Sequence, residues 1–258
     1  MRQADHTEVG RWLALHGLAD VEPTPLLVAR LAVRRRAKVL GSLLLAGFVI
    51  GAALAHVLGL PDVTFSRLQL LVLVALVVGL LVGQWLLGWW VRHVDRRAGA
   101  QLTRRVAHPV ELGWPAVLGR PYAVFTVATF AAALLLSVSV LPVSDASLRY
   151  GAFLVLISLA GSGAGTIMQL HQVLASPAVA EDEASLMADV VMRVEDTRAL
   201  VTPSLVWALP AIFLYGESLG WWNAASVALV VAGVIALCLI QVRATGVGTA
   251  ARRAMVTR

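Results

Sequence analysis

Apolar residues along the chain fall into six blocks, each about as long as a helix that crosses a membrane. Such a helix needs about 20 mostly apolar residues, because the hydrocarbon core of a bilayer is roughly 30 Å thick. Short and long polar connections alternate between the blocks, so the pattern predicts three helical hairpins. The predicted spans are residues 39–60, 68–91, 122–141, 150–171, 200–216 and 221–242.

The composition of the whole chain is that of a membrane protein. Hydrophobic residues make up 59% of the chain and charged residues only 14%, whereas a soluble domain carries about 25% charged residues. Residues 1–37 contain no short apolar region followed by a small-residue cleavage site, so the first span is expected to act as an uncleaved targeting signal. We therefore predict an all-α, polytopic membrane protein.

Basic residues are distributed unequally over the polar segments. Of the 21 Arg and Lys residues, 19 lie in the N-terminal segment, the two long loops and the C-terminal tail, and only Arg67 and Arg149 lie in the short loops. Lys and Arg near helix ends are retained on the cytoplasmic side. The distribution predicts a plasma-membrane protein with both termini in the cytoplasm, and it explains the net charge of +6 without nucleic-acid binding.

The predicted cytoplasmic segments carry helical patterns of their own. In the N-terminal segment, residues 1–38, a short helix is expected to begin near Thr7 and to end at Gly17. An amphipathic helix over residues 25–38 is expected to lie on the inner leaflet before the first span. The remaining cytoplasmic parts are the two loops and the tail, residues 92–121, 172–199 and 243–258.

Within the second long loop, apolar residues recur at helical spacing opposite charged ones. The apolar positions are Leu186, Val190, Val191 and Val194, and the charged positions are Glu183, Asp189, Arg193 and Asp196. This helix is expected to continue into the fifth span. Pro203 and Pro210 each remove a backbone donor there, so we expect the fifth span to be a kinked helix.

The predicted spans contain no Asp, Glu, Lys or Arg in their central parts. Ionisable groups inside the membrane are the usual marks of proton relays, ion pathways and catalysis, so their absence argues against a proton-coupled secondary transporter or a proton pump. No H-E-x-x-H or comparable motif is present, and we expect no enzymatic activity, metal or cofactor. Gln84 is interpreted as an interhelical hydrogen-bonding group or, alternatively, as the lining of a polar path. Carboxylates spread from Glu181 to Asp196 favour a solvated or partner-facing surface over a divalent-cation site.

Small residues recur four positions apart in three of the spans. They are Gly47, Gly51, Ala75, Gly79, Gly83, Gly161 and Gly165. Such faces let helix backbones approach closely in a membrane, so they are predicted to pack helices within the bundle or between copies in a homo-oligomer. Ser162 lies among glycines, but a rhomboid protease would need glycine where this chain has Ala160, and span six offers no histidine as a base.

Two stretches resemble a group of uncharacterised actinobacterial multi-span membrane proteins. They are Arg11-Trp12-Leu13-Ala14-Leu15-His16-Gly17-Leu18 and Asp196-Thr197-Arg198. The resemblance covers a small part of the chain. It implies association with ABC-type ATPases, and it brings no functional residues with it.

The layout is also similar to that of ABC-2 type export permeases. These have an interfacial helix before span one, six spans, cytoplasmic termini, and an inner loop that contacts the ATPase. Here the first and last of these features correspond to residues 25–38 and 92–121. The layout departs from that family between spans five and six, where permeases of this type usually have helical insertions and this chain has only residues 217–220.

Two functional hypotheses are open at this point. The first is a non-catalytic membrane subunit of an exporter that works with a separate ABC-type ATPase. The alternative is a structural or regulatory membrane protein that binds a cytoplasmic partner and moves no substrate. Trp114 is the candidate partner contact, because Trp is enriched at the energetic centres of interfaces; its other interpretation is a place in the lipid headgroup region.

Overall fold

The computed structural model describes residues 3–57, 67–100, 117–144, 146–176, 183–209, 220–244 and 246–256. All regular secondary structure in these ranges is helical, so the prediction of an all-α protein is confirmed for them. The helices are α1 Gln3–Leu15, α2 Pro25–Val57, α3 Arg67–Ala100, α4 Arg120–Val140, α5 Ala146–Ala175, α6 Glu183–Val201, α7 Ser204–Ala208, α8 Gly220–Arg243 and α9 Val247–Val256.

Among the described residues, five helices are long and apolar enough to cross a membrane. They are α2, α3, α4, α5 and α8. Helices α3, α5 and α8 contain the predicted spans two, four and six, and α2 and α4 contain most of spans one and three. Large apolar side chains on these helices point outward: Val127 is 69% exposed and Ile167 is 70% exposed. A surface of this kind is suited to contact with lipid, as in a multi-pass membrane protein.

The apolar core of the bundle lies between α2, α3, α4, α5 and α7. Its fully buried members include Ala52, Leu73, Val140, Val155 and Leu209, each at most 1% exposed. The core residues are mainly Leu, Val and Ala, which fit closely between helices without polar groups that would need partners. Apolar packing therefore holds these five helices together around this core.

The predicted fifth span lies only partly within the described residues. Helix α6 ends at Val201, Thr202 and Pro203 form a break, and α7 begins at Ser204. Pro203 has no backbone N–H and cannot continue the ladder of α6. The hydroxyl of Thr126 in α4 donates to the carbonyl oxygen of Val201 at 2.7 Å, so a neighbouring helix satisfies the end of α6. Pro210 lies outside the described residues.

The N-terminal part of the first span differs from expectation. Residues 25–38 do not form a separate interfacial helix, because α2 continues without a break from Pro25 to Val57. Thr24 caps its start, with Pro25 in the first turn, and its hydroxyl oxygen accepts from the N–H of Leu27 at 3.3 Å. Arg30 is only 5% exposed, so its surroundings are protein rather than lipid headgroups.

The N-terminal helix also differs in its start. It begins at Gln3 rather than near Thr7, and it ends in a Schellman motif around Gly17, whose φ is +73°. The N–H groups of Leu18 and Gly17 donate to the carbonyls of Leu13 and Ala14 at 2.9 and 3.1 Å. Glycine tolerates this left-handed conformation. The helix ends at Leu15, and the chain turns at Gly17, where the sequence predicted the end of the helix.

Three of the predicted packing glycines lie against another helix. A methyl group added at Gly51 would lie 2.9 Å from Leu76, one at Gly83 would lie 2.8 Å from Leu44, and one at Gly161 would lie 3.3 Å from Leu81. The other members of the set face open space or are exposed, namely Gly47, Ala75, Gly79 and Gly165.

One close approach was not predicted from the sequence. Gly233 in α8 is buried, and a methyl group there would lie 2.6 Å from the indole Nε1 of Trp207 in α7. The rigid indole ring fills the space that a larger side chain would need. Gly233 has no second small residue four positions away, at Leu229 or Leu237, so a small-residue pattern does not reveal it.

A second group of helices packs at the end of the bundle where α2 begins. Here α6 lies between α1, α2 and α9, with Val28, Val191, Val194, Met192 and Ala251 at most 1% exposed. Helix α9 approaches the turn after α1 closely, since a methyl group on Gly248 would lie 2.7 Å from the carbonyl oxygen of His16. We call this end, which contains α1, α6 and α9, the polar end of the molecule.

Candidate functional site

Helix α6 is the centre of the polar end. Residues 188–194 are all buried, although Asp189 and Arg193 are among them and are only 1% and 6% exposed. A helix that is buried all round must satisfy any charged side chain within the protein, because an unpaired buried charge costs several kcal/mol or more. The partners of these side chains therefore determine which helices can surround α6.

Arg30 of α2 joins α3 to α6. Its Nε lies 2.8 Å from Asp95 Oδ1, and its Nη2 lies 2.5 Å from Asp189 Oδ1. The second oxygen of Asp189 accepts from Arg193 Nε at 2.8 Å, one turn further along α6. Asp189 is thus held between two guanidinium groups, one from its own helix and one from α2.

Arg34 makes a second set of links one turn further along α2. Its Nη2 lies 2.6 Å from Asp95 Oδ2 and 2.9 Å from Asp196 Oδ2. Its Nε donates to both oxygens of Asp196, at 3.2 Å to Oδ1 and 3.0 Å to Oδ2. Arg34 therefore joins α3 and α6 in the same way as Arg30.

Arg193 ties the end of α5 to α6. Its Nη1 donates to the carbonyl oxygens of Ser176 at 2.6 Å and Val173 at 3.2 Å. We call the six connected side chains the Arg–Asp cluster; its members are Arg30, Arg34, Arg193, Asp95, Asp189 and Asp196. Three positive and three negative charges balance within it, so the cluster joins α2, α3, α5 and α6 without an excess of buried charge.

The N-terminal helix is attached to α6 by a separate contact. The indole Nε1 of Trp12 donates to Glu195 Oε2 at 3.1 Å, and His16 Nε2 lies 3.1 Å from Glu195 Oε1. His16 Nδ1 lies 2.8 Å from the carbonyl oxygen of Trp12. Both ring nitrogens therefore face oxygen acceptors, an arrangement that only the doubly protonated imidazolium satisfies.

The pKa of His16 is shifted accordingly. The hydrogen bond to Glu195 raises the pKa of His16 above its ordinary value of 6.5, and the contact with the Trp12 carbonyl adds to this, although burial of the ring acts in the opposite direction. His16 and Trp12 lie in one of the two stretches quoted above for their resemblance, and Glu195 directly precedes the other. The fold brings these two stretches together.

The Arg–Asp cluster was not predicted from the sequence. Asp189 and Asp196 were expected on a solvated or partner-facing surface, with a cation site as the alternative. The structure instead pairs both with arginines of α2, and within the described residues no group of His, Cys, Asp and Glu side chains is placed to hold a metal. The spacing of these residues was the one indication of the cluster in the sequence. Arg30 and Arg34 are four residues apart, and Asp189 and Asp196 are seven residues apart, so each pair lies on one face of its helix.

An open cleft of about 2160 Å³ lies beside the Arg–Asp cluster at the polar end. Residues of α2, α3, α5 and α6 form most of its wall, with Tyr122 of α4 and Gln241 of α8. The guanidinium of Arg198 lies 5.0 Å above the ring centre of Tyr122, a cation–π contact between α6 and α4. The cluster forms part of the wall, so the same charges that connect the helices also border the cleft.

Three polar residues of the membrane-length helices line the cleft, among them Gln84, which the sequence analysis singled out. Gln84 lines the cleft, and its Nε2 donates to the Gly41 carbonyl oxygen across α2 and α3 at 3.4 Å. Gln169 lines it as well, and a methyl group on Gly88 would lie 2.7 Å from its Oε1. His171 is exposed on the cleft wall. Trp114, the candidate partner contact, lies outside the described residues.

Comparisons with protein-family models, with curated proteins and with solved structures find no match for this chain. The site is therefore interpreted from its own geometry. Its two features are a charge-balanced Arg–Asp cluster that joins four helices and an open cleft that the cluster borders.

Removing one buried charge should test the cluster. We expect Asp189→Asn to lower the free energy of unfolding in detergent by about 3–5 kcal/mol, because it leaves Arg30 and Arg193 buried with less compensation. The control is Glu8→Gln, which removes the partner of Arg35 in an exposed pair whose side chains are 50% and 65% exposed. Exposed pairs contribute about 0–1 kcal/mol to stability. Equal losses of unfolding free energy in the two variants would therefore contradict a stabilising role for the Arg–Asp cluster.

The contact between His16 and Glu195 should make stability depend on pH. Because the pKa of His16 is raised in the folded protein, the pair stabilises the fold fully below the unfolded value and loses this contribution as pH rises through the raised pKa. We expect the difference in melting temperature between the natural protein and His16→Gln to shrink as the pH rises above the ordinary histidine value of 6.5. A difference that does not change as the pH rises would show that the contact does not depend on the charge of His16.

Proposed function

We propose that the chain crosses the plasma membrane six times and has both termini in the cytoplasm. The main support is the contact between α1 and α9, since Gly248 lies against the carbonyl of His16. Five membrane-length helices separate these two segments in the described part of the chain. An odd number of crossings would place α1 and α9 on opposite sides of the membrane, so their contact supports one more crossing.

Contacts at the two ends of α4 support a position for the proposed sixth crossing. Arg198 of α6 lies over Tyr122 at the start of α4, whereas Trp222 at the start of α8 donates to Ser139 near the end of α4 at 3.0 Å. The end of α6 and the start of α8 therefore lie at opposite ends of one membrane-length helix. We therefore propose the additional crossing between Val201 and Gly220, where the sequence predicts span five.

Reporter fusions test this topology. We expect fusions in the short loops to report the outside of the membrane, and fusions in the long loops and the tail to report the cytoplasm. The first set is Thr64, Ala146 and Ser218, and the second is Ala100, Ser185 and Met255. A cytoplasmic signal at Ala146 would overturn the hairpin scheme, and one at Ser218 would overturn the sixth crossing.

We propose further that the protein is the non-catalytic membrane subunit of an exporter that works with a separate ABC-type ATPase. The observation that supports this function best is the cleft of about 2160 Å³. It is larger than the sites of about 300–1,000 Å³ that hold small molecules. It also lies at the polar end, which the charge distribution assigns to the cytoplasm.

The Arg–Asp cluster offers a way to connect such a cleft to an ATPase. It joins the α2–α3 hairpin to α6 through ion pairs that border the cleft, such as Arg34 with Asp196. Switching proteins often exchange sets of interfacial ion pairs between two packed arrangements. In an exporter, a force applied to α6 from the cytoplasm would pass through these pairs to α2 and α3.

The alternative function is a structural or regulatory membrane protein that binds a cytoplasmic partner. The observation in its favour is the assembly of α1, α6 and α9, which has its own apolar cores around Leu13 and Val191. Such an assembly presents a folded surface that does not depend on the cleft. On this hypothesis the polar end is a docking platform, and no substrate moves.

Purification from native membranes distinguishes the two functions. We expect an ABC-type ATPase to copurify with the tagged protein and its hydrolysis to be stimulated by it. Trp114→Ala should release the ATPase or abolish the stimulation, if expression and insertion are unchanged, because loss of a buried Trp anchor typically costs 2 kcal/mol or more. The control is Trp221→Ala, at the start of α8, where the side chain is 59% exposed.

Three outcomes are informative. Release by Trp114→Ala but not by Trp221→Ala supports the exporter and its contact loop. If both variants still bind the ATPase and stimulate its hydrolysis, the loop of residues 92–121 is not the element that couples the two proteins. Copurification of partners without any ATPase would overturn the exporter proposal in favour of the regulatory one.

A further inference from the structure

The charges that line the cleft do not balance. Its wall contains nine Arg or Lys side chains and five Asp or Glu side chains. Each of the five carboxylates already has a partner in the protein: Asp95, Asp189 and Asp196 in the Arg–Asp cluster, Glu195 with Trp12 and His16, and Glu8 with Arg35. The surplus of positive charge therefore lies on the remaining basic residues.

Four of these residues have no ion pair with a carboxylate in the described part of the chain. They are Arg36, Lys38, Arg92 and Arg96. Arg92 is half-buried and has another cation, Arg96, one turn away on α3. Like charges so close repel each other, so this part of the wall favours an anion.

The basic residues continue directly into an aromatic surface. Trp85, Trp89, Arg92 and Arg96 are separated by four, three and four positions, which places them in one stripe along α3. Trp85 and Trp89 are 45% and 43% exposed and line the cleft. Along this stripe the wall changes from apolar and aromatic to cationic.

Helix α2 supplies a matching stripe. Lys38 and Leu45 are seven residues apart and both line the cleft, so α2 also changes from cationic to apolar along this wall. Arg30 contacts Asp95 and Gly41 contacts Gln84, so Lys38 and Arg92 both lie in the stretch between these two contacts. The cations of the two helices therefore lie in the same segment of the α2–α3 contact.

We propose that this cleft binds an anionic phospholipid of the inner leaflet. The headgroup phosphate would lie between Lys38, Arg92 and Arg96, and the acyl chains would lie against Trp85, Trp89 and Leu45. Tryptophan is enriched at the depth of the lipid headgroups, and the inner leaflet is rich in anionic lipid. The site goes beyond the proposed function, because it is a property of the protein alone and needs no ATPase.

The test measures lipid binding to the purified full chain. Native mass spectrometry in neutral detergent would compare phosphatidylglycerol with phosphatidylcholine of the same chain length. We expect phosphatidylglycerol to bind more tightly to the natural protein. The double variant Lys38→Gln/Arg92→Gln should bind it about 10- to 30-fold more weakly, with phosphatidylcholine binding unchanged.

A matched variant controls for the loss of two positive charges. Arg97→Gln/Arg243→Gln removes two exposed arginines that lie outside the cleft wall, one of them adjacent to Arg96. It should bind phosphatidylglycerol as the natural protein does. Gel filtration confirms the fold of both variants, and a third variant, Arg92→Lys, should retain most of the binding.

Several outcomes would overturn the lipid site. These are equal affinity for the two lipids, equal losses in the cleft variant and the matched variant, or binding of inorganic phosphate as tightly as phosphatidylglycerol. The last result would identify a site for a soluble anion, with no role for the acyl chains. The outcome that supports the proposal is headgroup selectivity that depends on Lys38 and Arg92 and that free phosphate does not displace.

Discussion

The pairing of three arginines, whose side chains are at most 13% exposed, with three aspartates determines how the polar end of this protein is built. Taking charged groups out of water costs several kcal/mol for each ion, and the cost is offset only when partners are well placed. Arg30 and Arg34 reach α3 and α6 at once, and Arg193 reaches the end of α5. These helices cannot slide past one another without leaving a charge unpaired, so the cluster specifies their relative positions.

The cleft is a consequence of the same arrangement. Deeper in the bundle, apolar residues such as Leu73 and Val155 fill the space between helices, whereas at the polar end long charged side chains span it. Each carboxylate on the cleft wall is paired with another side chain, so Lys38 and Arg92 provide excess positive charge beside exposed tryptophans. A wall that is cationic at one depth and aromatic at the next suits an amphiphilic occupant in a membrane.

The sequence was sufficient for the apolar helices but not for the contacts between them. Blocks of apolar residues revealed five membrane-length helices in the described part of the chain, because hydrophobic length is a local property. The partners of Asp189 and Asp196 on α2 lie more than 150 residues away, and helical periodicity shows only that the two aspartates share a face of α6. The same contacts explain why residues 25–38 continue α2, since Arg30 and Arg34 bind aspartates rather than lipid.

The arrangement of the polar end depends most directly on the link between α2 and α6. A double-mutant cycle of Arg34→Gln and Asp196→Asn, measured as free energy of unfolding in detergent, isolates this pair from the contact of Arg34 with Asp95. We expect a coupling free energy of about 1–3 kcal/mol, as for neighbours in one hydrogen-bonded network. Losses that add within about 0.5 kcal/mol would show that the two side chains do not interact, and would contradict the arrangement of the polar end.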